Sequence, residues 1–235
     1  MRCITRPAAL GALAALAAAV VPATAGAATA GPAPITGGSE VSDGRYPYVA
    51  GLRSPTASRF FCTGTLIRKD WVLTAAHCVD GTRVGQPLTV ELGRTDLTTP
   101  PGPRAEAITA DKVVIHEDWG GDPGDRNDIA LVHLATDSAI APMPIGRPAP
   151  LYEGIEDCRY DPDRFWNLCI ATRGTHVGWG RTSSSSTQTS DRLKWIDAPI
   201  YSRQADGQFW VTRTQSCPGD SGGPLLVERG PRDHR

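Results

Sequence analysis

The sequence has little net charge and no basic run. Its 24 Lys and Arg stand against 25 Asp and Glu, a formal charge of -1. Recognition of nucleic acid needs clustered positive charge, so no nucleic-acid partner is expected. Long apolar segments are missing beyond the amino terminus, so no membrane span is expected once that segment is removed. No internal repeat and no strongly amphipathic helix is visible in the rest of the chain, which argues against solenoid and helix-bundle architectures.

What is present begins with a leader. Arg2 and Arg6 precede an Ala/Leu/Val run from Ala8 to Val21, and small-residue sites follow at Ala23-Thr24-Ala25 and Ala28-Thr29-Ala30. Residues 1–30 therefore read as a secretory signal peptide, and the mature protein is expected to be secreted. Export places cysteines in an oxidising setting where disulfides persist. The chain has six cysteines, and Cys3 leaves with the leader. Cys62, Cys78, Cys158, Cys169 and Cys217 remain, an odd set that leaves one without a partner within the chain.

Residues 31–34 (GPAP) read as a propeptide remnant or linker. From Ile35 onward short apolar runs alternate with turn clusters, consistent with the 25 Gly and 20 Pro. The clearest candidate strands are Tyr48–Leu52, Phe61–Ile67, Trp71–Thr74, Leu88–Leu92, Ile108–Ile115 and Ile129–Leu134. After the proline-rich connector at 141–150 come Thr175–Trp179, Leu193–Ile200, Phe209–Val211 and Pro224–Val227. Ser183–Ser186 reads as an exposed loop. Two successive sets of short strands predict an all-β protein with two subdomains.

Three motifs carry the chemistry. TAAHC ends a strand with His77, NDIAL puts Asp128 at the start of an apolar strand, and GDSGGP brackets Ser221 with glycines. Alone, each has a bland reading: a structural histidine, a turn, a tight loop. Together they supply what acyl transfer needs. A serine hydroxyl is a weak nucleophile and needs a base near neutral pH to take its proton. A buried carboxylate fixes the imidazole tautomer and stabilises its charged form. Glycines allow unusual dihedrals, so that the N–H groups of Gly219 and Ser221 can meet a developing oxyanion.

With these motifs in the order His77, Asp128, Ser221, the chain resembles the trypsin/chymotrypsin-like serine endopeptidases across nearly all of Ile35 to Val227. Phe61–Ile67, Gly178-Trp179-Gly180 and Leu193–Ile200 support the likeness. The resemblance implies two Greek-key β-barrels of the chymotrypsin type, the first at about 35–140 and the second at about 151–227. It implies a monomer that hydrolyses protein or peptide substrates through an acyl-enzyme, with no cofactor. It also implies a Cys62–Cys78 disulfide, worth about 3 kcal/mol by chain entropy. Cys158 and Cys169 match no family bridge. They flank an apparent insertion and are expected to pair locally, since zinc-site spacing is lacking and no metal is expected. Cys217 is then left unpaired.

Ile35-Thr36-Gly37-Gly38 resembles the family's mature amino terminus, whose freed ammonium pairs with the aspartate before the nucleophile, here Asp220. Pro34 stands where many zymogens carry a basic residue, so a trypsin-like activator is not expected. The floor of the primary specificity pocket maps to Gln215, next to Ser216, and a neutral Gln gives no support for Arg or Lys preference. The family continues well past GDSGGP, with strands, a pocket wall and the partner of Cys217. Residues 228–235 have no apolar alternation, so the second barrel is expected to be incomplete. Two readings therefore stand beside the endopeptidase: a truncated, catalytically inactive homologue, and a protease-like binding module.

Overall fold

The computed structural model describes residues 38–81, 88–123, 127–146, 158–161, 166–183, 185–203, 209–211 and 216–227. The leader, the 31–34 link, Ile35, Gln215 and the 228–235 tail lie outside the described residues. In chain order the strands are β1 (Ser39–Glu40), β2 (Val49–Arg53), β3 (Cys62–Arg68), β4 (Trp71–Thr74), β5 (Thr89–Leu92) and β6 (Glu106–Ile115). They continue as β7 (Ala130–Leu134), β8 (Cys158–Asp161), β9 (Trp166–Gly178), β10 (Lys194–Arg203), β11 (Phe209–Val211) and β12 (Leu225–Leu226). One 3-10 turn, Ala76–Cys78, follows β4. No helix among the described residues is long and apolar enough to cross a membrane.

Strands β2 to β7 close into an antiparallel barrel in the order β2-β3-β4-β7-β6-β5. The chain leaves β4, crosses to β5, and closes the barrel by pairing β5 with β2. Alternation drives this closure. In β7, Ala130, Val132 and Leu134 are buried while Leu131 and His133 are half-buried, and β4 buries Val72 and Thr74 in the same way. The inward set joins Leu52, Leu66, Leu88, Val90 and Leu92 in one core. Each such side chain contributes about 1.5–3 kcal/mol by leaving water.

The second sheet follows the path β1-β10-β9-β12, with β8 on β9 and β11 on β10. Among the described residues it does not close, and the fold is all-β with one complete barrel and one open sheet. Two departures from the sequence pattern stand out. On either side of residues 162–165, the segment read as an insertion forms strand, β8 pairing antiparallel with the first part of a 13-residue β9. Polar residues such as Thr172 and Arg173 interrupt the apolar pattern there, so the strand is not legible by alternation. The short β1, amino-terminal to the first barrel, pairs across with β10 of the open sheet.

The two halves meet at a second apolar cluster of Val41, Val49, Phe60, Val177, Trp179 and Leu193. Phe60 and Trp179 pack edge to face with centroids 4.8 Å apart. The GDSGGP turn lies beside this junction, through the Gly180 N–H on Asp220 and the Thr63 N–H on Ser221 O.

Candidate active site

His77 sits in the 3-10 turn after β4, and Asp128 lies just before β7, the strand that pairs with β4. Asn127, in the left-handed region at φ 66°, turns the chain so that Asp128 faces that turn. The aspartate is then held twice by one residue. The His77 backbone N–H donates to Oδ1 at 2.9 Å, and Nδ1 lies 2.6 Å from Oδ2. With a carboxylate at Nδ1, the ring proton belongs on Nδ1 and Nε2 is left as the basic nitrogen. Both side chains are largely buried, at 12% and 18% exposure, so the pair is shielded from water.

The Cys62–Cys78 disulfide ties the residue after His77 to the start of β3. Replacing both cysteines by serine is expected to lower stability by about 3 kcal/mol. Urea unfolding checks this, and a loss below 1 kcal/mol would show that the turn is held without the bridge.

Ser221 lies in a tight double turn in which the Asp220 N–H donates to Cys217 O and the Gly223 N–H to Asp220 O, both at 2.9 Å. Gly219 and Gly222 adopt φ of 103° and 79°, conformations that side chains resist. At Gly222 an added Cβ would strike the Thr63 carbonyl oxygen, Thr74 Oγ1 and Ala75 N. The Ser221 turn is thus pressed against the barrel edge that leads to His77. Cys78 Sγ lies 3.7 Å from Ser221 O. Among the described residues no hydrogen bond engages the Gly219 or Ser221 N–H.

Asp220 points the other way, into the protein, and is 1% exposed. Its Oδ1 accepts the Gly180 N–H at 2.7 Å and its Oδ2 the Cys217 N–H at 2.9 Å. Burial pushes its carboxyl up to about 7, against the pull of those two donors. A Cβ at Gly178 or Gly180 would collide with this carboxyl, which accounts for the glycines flanking Trp179.

Other assigned positions resolve unevenly. Ser216 is half-buried beside Cys217, while Gln215 and Ile35 lie outside the described residues. Register sets Cys158 directly across from Cys169, the backbone placement that local pairing requires. The expectation of an unpaired Cys217 is corrected: it is disulfide-bonded, to a partner whose side chain is not among those described. The odd count held only after Cys3 was removed, and the whole chain has six cysteines. Sulfur, nitrogen and sulfur of Cys62, His77 and Cys78 lie within 4.8 Å of one another, but the two sulfurs are bonded together and have no thiolate for a metal.

Sequence reasoning gave Thr63 no role. It is fully buried, and four hydrogen bonds meet on it. A threonine in a strand is ordinary, so no sequence signal distinguishes it.

A closed barrel that carries a His–Asp pair, with a glycine-bracketed serine turn against its edge and a second antiparallel sheet beside it, matches the double-barrel serine-protease fold. The chain belongs to the trypsin family, whose family model matches residues 35–231. It is 34% identical over 201 residues to tissue-type plasminogen activator of Bos taurus, covering 76% of this chain and 34% of that protein. It is 30% identical over 204 residues to brachyurin of Leptuca pugilator, covering 81% and 80% of the two chains. The chain thus spans about a third of the plasminogen activators it matches. Among solved structures, neuropsin, a serine protease expressed in the limbic system of mouse brain, superposes with a TM-score of 0.59. At 23% identity over 80% of this chain and 81% of that one, this likeness concerns the fold.

Proposed function

We propose that the chain is an exported protease homologue that retains serine-endopeptidase residues and turns over protein or peptide substrates weakly or not at all. In this reading Ser221 Oγ attacks a peptide carbonyl while His77 Nε2 takes its proton. Asp128 holds Nδ1–H and the charge that forms on the ring, and the Gly219 and Ser221 N–H groups receive the oxyanion. Collapse returns the proton to the leaving amine, and water then releases the acyl group from Ser221.

The observation that carries weak turnover is the unequal state of the two sheets. The sheet bearing Ser221 is open among the described residues, and its last strand there, β12, has two residues. Rate enhancement depends on holding the substrate within a few tenths of an ångström, and an open sheet offers little to hold it. A second reading, an endopeptidase with full turnover, is favoured by the 2.6 Å His77–Asp128 contact, which supplies the base ready oriented.

A fluorophosphonate probe separates the two, because it needs the nucleophile and base but no extended substrate. The expected result on the processed, folded chain is slow or no adduct at Ser221. Stoichiometric labelling, lost in Ser221→Ala and reduced at least about a thousandfold in His77→Ala, would establish the second reading instead.

A further inference from the structure

We infer that Thr63 is a positioning residue that sets the Ser221 turn against the strand leading to His77. This rests on the serine-nucleophile reading of Ser221. Strand β4 pairs with β3 only from Thr65 onward, in register with Leu73, so the Cys62–Gly64 edge of β3 is left for another partner. The Ser221 turn takes that edge. The Thr63 N–H donates to Ser221 O at 2.9 Å, and the Thr63 hydroxyl donates to Gly219 O at 2.8 Å. The same hydroxyl accepts the Trp179 N–H at 3.2 Å, and the Thr63 carbonyl accepts Thr74 Oγ1–H at 2.9 Å.

The consequence follows peptide plane by peptide plane. The plane after Gly219 is pinned at its C=O by the Thr63 hydroxyl and at its N–H by Cys217 O. The plane before Ser221 is pinned through Asp220 O by the Gly223 N–H, and the plane after Ser221 by the Thr63 N–H. Thr63 thus holds the outer two of three consecutive planes. Glycine at 219, with φ 103°, has no side chain to restrain its own torsions, so an external anchor decides where its neighbours point. The hydroxyl is suited because one O–H group donates and accepts together. Through Thr74, three residues before His77, the anchor also references the serine to its base.

Hydrogen exchange on the full chain tests this without requiring turnover. In Thr63→Val, which keeps shape and β-branching, the Trp179, Asp220 and Gly223 amides are expected to exchange at least about tenfold faster. Those of β6, at Glu106–Ile115, are expected to be unchanged, and Thr63→Ser is expected to restore wild-type protection. Unchanged exchange in the turn, or an equal rise in β6, overturns the inference; Thr63→Ala gives the same readout where valine does not fold. Fluorophosphonate labelling separates this from the parent reading. Lost protection in a chain that labels stoichiometrically upholds the positioning role and removes the weak-turnover reading. A wild type that labels slowly or not at all, with protection in the turn unaltered by valine, upholds that reading and removes the role.

Discussion

Trp179→Ala is expected to lower stability by about 3–5 kcal/mol, the range for truncating a buried large aromatic. Trp179 is fully buried and packs on Phe60 among Val41, Val49, Val177 and Leu193, between the closed barrel and the open sheet. Truncation leaves a cavity that backbone movement cannot fill, because the Trp179 N–H and C=O are held by Thr63 Oγ1 and the Ser190 N–H. For a chain of this length the midpoint should drop by about 10 °C. One term opposes the loss: the indole Nε1 is buried without a partner among the described residues, and removing it relieves a desolvation penalty. Trp179→Phe keeps most of the packing and drops that group, so it should cost less than about 1.5 kcal/mol. Ile145→Ala, at a side chain 66% exposed, should change stability by no more than about 0.5 kcal/mol. Thermal unfolding of the three variants checks the ranking. A Trp179→Ala midpoint within 3 °C of wild type would mean that the halves are not joined through this side chain.

The pH dependence of stability is expected to show two buried groups working against each other. Burial raises Asp220 from 3.8 to about 7, so the folded state keeps a proton that the unfolded chain releases. Its stabilising contribution is complete below pH 4 and is lost as pH rises to 7, a fall of about 4 kcal/mol. His176, buried on β9, is lowered from 6.5 to about 4, so there the unfolded chain binds the extra proton. Its contribution grows as pH rises from 4 to 6.5, by about 3 kcal/mol. The two slopes nearly cancel across that window in the wild type. Asp220→Asn removes one of them, and the variant should gain about 3 kcal/mol between pH 4 and 6.5. It should also be less stable than wild type at pH 4, since the amide leaves one of the Gly180 and Cys217 N–H donors unmatched. Denaturant midpoints at a series of pH values read this difference directly, and parallel profiles for wild type and variant would refute the assignment of Asp220. The same measurement addresses the proposed Ile35–Asp220 pairing. In a chain trimmed to Ile35, an ammonium beside the carboxyl lowers its pKa and reverses the sign of its slope.

The barrel was largely legible because its strands are short apolar runs between turn clusters, two of which, β4 and β7, also alternate. Trp71–Thr74 matches β4 end for end, and Ile129–Leu134 differs from β7 by one residue. The open sheet was less so. Strand β9 begins at Trp166 rather than near Thr175, because a strand paired on both sides without a steady apolar face gives no period-2 signal. The two residues of β1 are too few for any pattern. Cysteine parity misled at Cys217, since a count depends on which residues are taken to be in the chain while bonding depends on which sulfurs meet.

By itself the sequence determined the family. A serine among glycines, a histidine after a strand and an aspartate before one are local arrangements, and local arrangements are written in neighbouring letters. Tertiary structure alone decided how they act on each other. The double hold of His77 on Asp128 joins residues 51 apart, and the Thr63 hydroxyl reaches Gly219 across 156. The raised carboxyl of Asp220 comes from burial beneath Gly178 and Gly180, which no neighbour in sequence supplies. Hydrogen-bond reach and loss of water depend on distance in space, and the folded backbone sets that distance.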